Sequence, residues 1–202
     1  NNAAFFVTPF NDVVMSRTGV FAEWIGEAGP IMGEFGVRID QNEYDAEAPI
    51  LGPALHMGPR MIASGFTASD RSGSDTTADL VARIWTEPVN GLSWRGTLAR
   101  KQMMPGYIQR FGWLPINASG GLADGNIYVG DLTLDPETAW IAEAGFDYVS
   151  EKLYARPTVY VRDVQDFIQG TPFDDTPGVI NSPVEMVANA NGDSTPLQWT
   201  NV

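Results

Sequence analysis

One imidazole and two thioethers meet in the stretch Leu55–Ile62, LHMGPRMI: His56, Met57 beside it, and Met61 four residues on. Imidazole nitrogen and thioether sulfur are donors that suit copper. His56, Met57 and Met61 are therefore the candidate metal ligands. Arg60, Met103, Met104 and Tyr107 join them as candidate ligand contacts, with Met186 a further thioether downstream. The competing reading is that Met fills irregular gaps in packed loops. Carboxylates pair at Asp174-Asp175 and at Asp163/Asp166, a spacing that suits acid–base work or a hard cation; the alternative is solvated loop acids. With one histidine and no cysteine, neither a His-based triad nor a multi-His metal site can be assembled from these residues. The run Ser69–Ser74 (SDRSGS) reads as a loop. Gly120-Gly121 and Gly125 lack the lysine and following helix of a phosphate loop. No enzyme activity and no cofactor are expected.

The elements that must position these residues are strands. In Ile31–Asp40, Ile31, Gly33, Phe35, Val37 and Ile39 share one face, while Glu34, Arg38 and Asp40 share the other. That period of two is the strand signature. Further strands are expected at Thr18–Glu27, Thr76–Thr86, Leu92–Lys101, Thr138–Val149 and from Leu153 to about Gln169, with another beginning at Leu197. Pro157 sits awkwardly in one of them, because proline removes a ladder donor. Short breaks at Ala28–Pro30, Glu87–Gly91 and Ser150–Lys152 alternate with long polar connections at Gln41–Asp75, Gln102–Glu137 and Thr171–Pro196. Short turns thus fall on one side of the sheet and long, structureless loops on the other. That arrangement, with strands of ~10 residues, is the pattern of a transmembrane β-barrel wall. Soluble domains rarely carry three loops of more than ~15 residues.

Composition narrows the class. The chain has 202 residues, is 44% hydrophobic and 18% charged, and carries a net charge of −13. So acidic a surface repels nucleic acid. No window approaches the ~18–20 continuous apolar residues of a membrane helix, and sustained helical periodicity is absent. An all-β reading follows. Trp24, Trp85, Trp94, Trp113, Trp140 and Trp199 lie near expected strand ends or in loops, where an aromatic girdle at the membrane interfaces would sit; the alternative is that they pack a soluble core. Arg38, Arg83, Arg95, Lys101 and Arg156 share the polar faces with Glu34, Asp79, Glu143 and Asp147, so cross-strand ion pairs on an inward face are expected.

Several motifs resemble TonB-dependent outer-membrane receptors. LARKQMMPGYIQRF (Leu98–Phe111) resembles the family's strand-to-loop motif. YVGDLTLDPETAWIAEAGFDY (Tyr128–Tyr148) resembles its Gly-Asn-x-x-Leu-x-Pro-Glu segment and the following strand, with Asp131 in place of the usual Asn. VYVRDVQDFIQG (Val159–Gly170) resembles the next ascending strand, and PLQWTNV (Pro196–Val202) the start of the one after. GVFAEW (Gly19–Trp24) and GEFGVRID (Gly33–Asp40) resemble upstream barrel strands. Each motif is soft, but their order and spacing agree along most of the chain.

The resemblance implies an antiparallel transmembrane β-barrel segment of about six to seven strands, far short of the ~22 in a plugged transporter barrel. Residues 1–202 are accordingly expected to be one partial barrel domain, an internal slice without plug or TonB box. The intact receptor would import a scarce ligand (a metal chelate, siderophore or cobalamin-like compound) across a bacterial outer membrane with energy from the TonB complex. Its other partners would be outer-membrane lipid and no nucleic acid. A copper-handling receptor of the same family, a soluble β-sandwich binding module and a secreted β-rich enzyme are the alternatives.

Overall fold

The computed structural model describes residues 4–116, 125–174, 176 and 178–202. Long antiparallel strands form one open sheet: β1 (Val14–Ala28), β2 (Ile31–Asp45), β3 (Gly73–Val89) and β4 (Leu92–Met103) follow one another as neighbours. The two-residue β5 (Tyr128–Val129) lies elsewhere, and β6 (Glu137–Val149) pairs with β4. The return strand is split into β7 (Tyr154–Ala155) and β8 (Thr158–Gln165), both paired with β6. The sheet does not close on itself, and β1 and β8 are its edges among the described residues.

Register fixes which face meets which medium. Trp24 pairs with Phe35, Phe35 with Ala82, Ala82 with Leu98, Leu98 with Ala142 and Ala142 with Val161, so one apolar row crosses the whole sheet. A slip of one residue in any pair would turn that strand's apolar set to the other face. Val20, Val159 and Val161 on this outward face are 71%, 72% and 70% exposed, and no second sheet covers them among the described residues. Leaving a valine bare to water forgoes about 1.5–3 kcal/mol of burial; against hydrocarbon the cost disappears. This removes the sandwich alternative, which needs a second sheet on the apolar face.

The tight connections are as short as expected. Gly29 and Gly91 take positive φ values of 61° and 80°, which a side chain would resist, and each closes a two-residue link between long strands. The strands themselves outrun the expected bounds: β1 starts four residues before Thr18, and β2 continues five beyond Asp40. Period two fades there: Val14 and Met15 put apolar side chains on both faces of β1, and Gln41, Asn42 and Glu43 put polar ones on both faces of β2. The expected single strand Leu153–Gln169 is broken twice. Pro157 has no N–H to donate and separates β7 from β8. Asp166 adopts φ 55° and bends the chain before β9 (Ile168–Pro172).

The long connections differ most from expectation. They carry α1 (Met57–Ala68), α2 (Tyr107–Phe111) and α3 (Pro183–Ala190). β10 (Leu197–Asn201) pairs antiparallel with β9 and parallel with β5 in a separate three-stranded sheet, so its described residues lie outside the wall. The two hydrophobic cores among the described residues lie here. Ala63, Trp113, Leu114 and Val187 form one; Tyr128, Leu134, Ile168 and Trp199 form the other, with Tyr128 stacked on Trp199 at 4.6 Å. Residues 4–12 run alongside, tied by bonds such as Gly52 N to the Phe6 carbonyl at 2.7 Å. The connections thus make a packed cap over one end of the sheet. Of the six tryptophans, Trp24, Trp94 and Trp140 face outward as girdle residues should, Trp85 faces inward, and Trp113 and Trp199 belong to the cap cores. No described helix is long and apolar enough to cross a membrane, which says nothing of strands.

Candidate functional site

The inward face of the sheet is a ladder of ion pairs. Arg83 meets Glu34 at 2.9 Å, Lys101 meets Asp79 at 3.5 Å, and Arg95 and Arg156 converge on Asp147 at 3.6 and 3.1 Å. Asp40, 1% exposed, accepts from Arg17 and Arg38 together. Every cation expected on this face is there and paired. Arg100 faces the other way, opposite Leu80 and Trp140, and its Nη1 donates to the Ala78 carbonyl and to Gln102 Oε1 near the cap end. There the β3–β4 ladder gives way to side chains. Gln102 Oε1 accepts from Ala78 N at 2.8 Å, and Asp79 Oδ1 accepts from Gln102 N at 2.9 Å.

The predicted metal ligands lie in the cap, at and beside the start of α1. His56 caps the start of α1 without a side-chain bond to the helix, and its ring lies 6.1 Å from that of Phe5. Met57 and Met61 stand one turn apart on α1, exposed. Arg60 has a structural job: its Nε and Nη2 donate to the carbonyls of Leu55, Gly52 and Pro53, holding the approach to the helix. Tyr107 meets Phe10 edge-on at 5.2 Å. Met103 and Met104 line a different cleft, of about 350 Å³, with Met15 and Arg17. Among the described residues no three His, Cys, Asp or Glu side chains group as metal ligands. Of the paired acids, Asp174 accepts locally from Thr176 N and from Asn181, and Asp175 lies outside the described residues, as do Gly120 and Gly121. Asp163 is on the outward face of β8 opposite Trp140, away from Asp166 in the bend, so that pair does not form an acid–base site.

The site that does form was not singled out by residue type. A cavity of about 550 Å³ opens where the connections meet, lined by Tyr44 at the end of β2, Phe66 of α1, Arg110 of α2, Trp113, Asp70 and Asp131 among others. Arg110 is 2% exposed. Its Nη1 donates to the Leu132 carbonyl at 3.0 Å, and its Nη2 to the Leu134 carbonyl at 2.7 Å and to Asp75 at 3.2 Å. Its guanidinium lies 3.9 Å over the ring of Tyr44, a contact worth about 0.5–2 kcal/mol. One side chain therefore joins the connection after β4 to the ends of β2 and β3. Gly130 brings the wall close: a Cβ there would fall 2.7 Å from Gly112 N and 2.9 Å from the Gln109 carbonyl. Asp131 N in turn donates to the Gln109 carbonyl at 2.9 Å, which fixes the Asp131 carboxylate at the rim. Arg71 donates to the carbonyls of Ala46, Phe66, Thr67 and Ser69 and finishes α1.

Two signals pointed toward this region. Arg110 is the one cation between Gln102 and Glu137. Ser182-Pro183-Val184-Glu185 spells a capping box, and Ser182 Oγ and Glu185 exchange those bonds at the start of α3.

Comparison with known proteins agrees with this architecture. No curated protein matches the chain. Among solved structures it resembles the copper transporter OprC (20% identity, TM-score 0.62, 95% of this chain and 25% of that one). It also resembles a double mutant of the Serratia marcescens hemophore receptor HasR in complex with its hemophore HasA and heme (14%, 0.61, 93% and 29%). The siderophore receptor PirA from Pseudomonas aeruginosa is similar too (12%, 0.50, 94% and 37%). At these identities the likeness establishes the fold, and the chain spans between 25% and 37% of their length. Residues 1–202 all match the family described as TonB dependent receptor-like, beta-barrel, whose members are transporters of the Gram-negative outer membrane. The chain belongs to that family, and its open sheet of ion-paired, apolar-backed strands is a stretch of the family's barrel wall with its cap of long connections.

Proposed function

We propose that this chain is part of a receptor that captures a scarce ligand at the cell surface and admits it through the outer membrane with energy from the TonB complex. The stretch 1–202 serves as one portion of the barrel domain, with the cap facing outward and the short turns facing the periplasm. The observation that carries this reading is the division of labour in the chain. The wall has an apolar outward face and a paired-charge inward face, while the cap has its own hydrophobic cores and a cavity of ligand size. The chemistry is binding and gated passage, without bond making or breaking. Expressed as the full-length receptor, the protein should raise cell-associated radiolabelled ligand only in cells with a working TonB. Equal uptake with TonB deleted would overturn the energised-transport reading.

A second reading, copper handling, is favoured by the exposed pair Met57 and Met61 on α1 beside His56. Substituting Met57 and Met61 by Leu in the full-length receptor should then lower copper accumulation. Unchanged accumulation would dismiss these residues as ligands.

A further inference from the structure

We infer that the cavity between Tyr44, Phe66, Arg110 and Trp113 accepts a compact organic metal chelate that is neutral or cationic overall, and rejects polyanionic chelates of the same size. The inference rests on the receptor reading above and assigns the ligand class of its capture site.

Size and wall come first. About 550 Å³ lies within the ~300–1,000 Å³ typical of small-molecule sites. Phe66, Trp113 and Ile62 give the wall apolar surface.

Charge decides the class. An anion-binding pocket needs arginine forks free to grip oxygen pairs. Here the arginines in the wall are committed to the backbone: Arg71 to four carbonyls, and Arg110 to two carbonyls and Asp75. The carboxylates in the wall are less occupied. Asp70 uses one oxygen, Oδ1, for Ser72. Asp131 uses Oδ1 for Thr133, and its Oδ2 has only Gln198 at 3.5 Å.

The surroundings act in the same direction. The described residues of 46–72, 104–136 and 166–196 include eight carboxylates against three arginines, and those arginines, Arg60, Arg71 and Arg110, all hold backbone carbonyls. The described cap is therefore net negative, which repels anions and concentrates cations at low ionic strength.

The test uses the full-length receptor in detergent, with two labelled probes: a neutral ferric trihydroxamate and a ferric tricatecholate carrying three negative charges. The unsubstituted receptor should bind the trihydroxamate at least about tenfold more tightly at low salt, where charges act over ~30 Å. The paired change Asp70→Asn and Asp131→Asn keeps each local acceptor oxygen. It should tighten tricatecholate binding by about tenfold, equivalent to about 1.4 kcal/mol of relieved repulsion, and move trihydroxamate binding less than twofold. Thr133→Trp, which fills the cavity from its exposed rim, should abolish trihydroxamate binding. Equal affinity for the two probes, binding of neither, or unchanged discrimination in the Asn variant would each overturn the inference. TonB-dependent uptake of any cargo by a receptor that ignores ligand charge would leave the receptor reading standing, whereas a chain that never assembles in the membrane would remove both.

Discussion

Arg110 concentrates the stability of the cap in one side chain. It is buried, its two terminal nitrogens satisfy the carbonyls of Leu132 and Leu134, and it offsets the charge of Asp75. Removing one partner from a buried charged network leaves the others desolvated and unpaired, at a cost of about 3–5 kcal/mol. Arg110→Ala should therefore loosen the connection after β4 while leaving the wall intact. Limited proteolysis of intact cells should show new cleavage between residues 104 and 136, with heat-modifiable migration of the barrel unchanged. Cap protection equal to the unsubstituted protein would show that the hydrophobic cores hold this connection without Arg110. The residues picked out by donor chemistry behave differently. His56, Met57 and Met61 lie on the exposed start of α1, away from the Arg110 cavity lining, because donor type says what a side chain can bind and nothing of which neighbours arrive.

At the scale of the element, a wall strand is two surfaces bonded to two media. Phe35 and Val159 belong to the outward set; Arg156 belongs to the inward set and pairs with Asp147. An arginine at the bilayer midplane costs about 2–4 kcal/mol, so Phe35→Arg and Val159→Arg should each lower the urea midpoint of the folded receptor and its assembled yield. Arg156→Gln removes a half-exposed ion pair worth at most about 1 kcal/mol and should leave both nearly unchanged. Equal damage from all three substitutions would refute the facing assignment. The helices of the cap obey another rule. α1 and α3 are short, and helices of that length are marginal in isolation; they persist because Ala63 and Val187 pack into a shared core with Trp113 and Leu114.

At the scale of the whole molecule, this stretch is a wall with two open edges and a packed cap. β1 and β8 present unpaired backbone groups along their free sides. Such edges template association, so residues 1–202 refolded alone into detergent should form oligomers, while the full-length receptor remains monomeric by light scattering. A monodisperse monomer of the stretch alone would mean that some other element covers the edges. The cap sheet is smaller, with the short strands β5 and β9 at its edges, and the cap is held mainly by its hydrophobic cores.

What the sequence determined was the wall. Alternation of apolar and charged residues is local and repeats every two positions, so Phe35, Leu80 and Ala142 declare their face without knowledge of their neighbours. The same alternation placed Arg38, Arg83, Arg95, Lys101 and Arg156 on the charged side, where each finds an acid. Connection lengths told which end of the sheet carries the cap, and ordered motifs named the family. What only the tertiary structure decided was the cap. Its helices are short, and its cores join residues as distant as Ala63 and Val187. Its cavity brings Tyr44, Arg110 and Asp131 together from separate connections. Those contacts depend on how long loops close in space. Loop closure is a collective property of the chain, and no residue spacing encodes it.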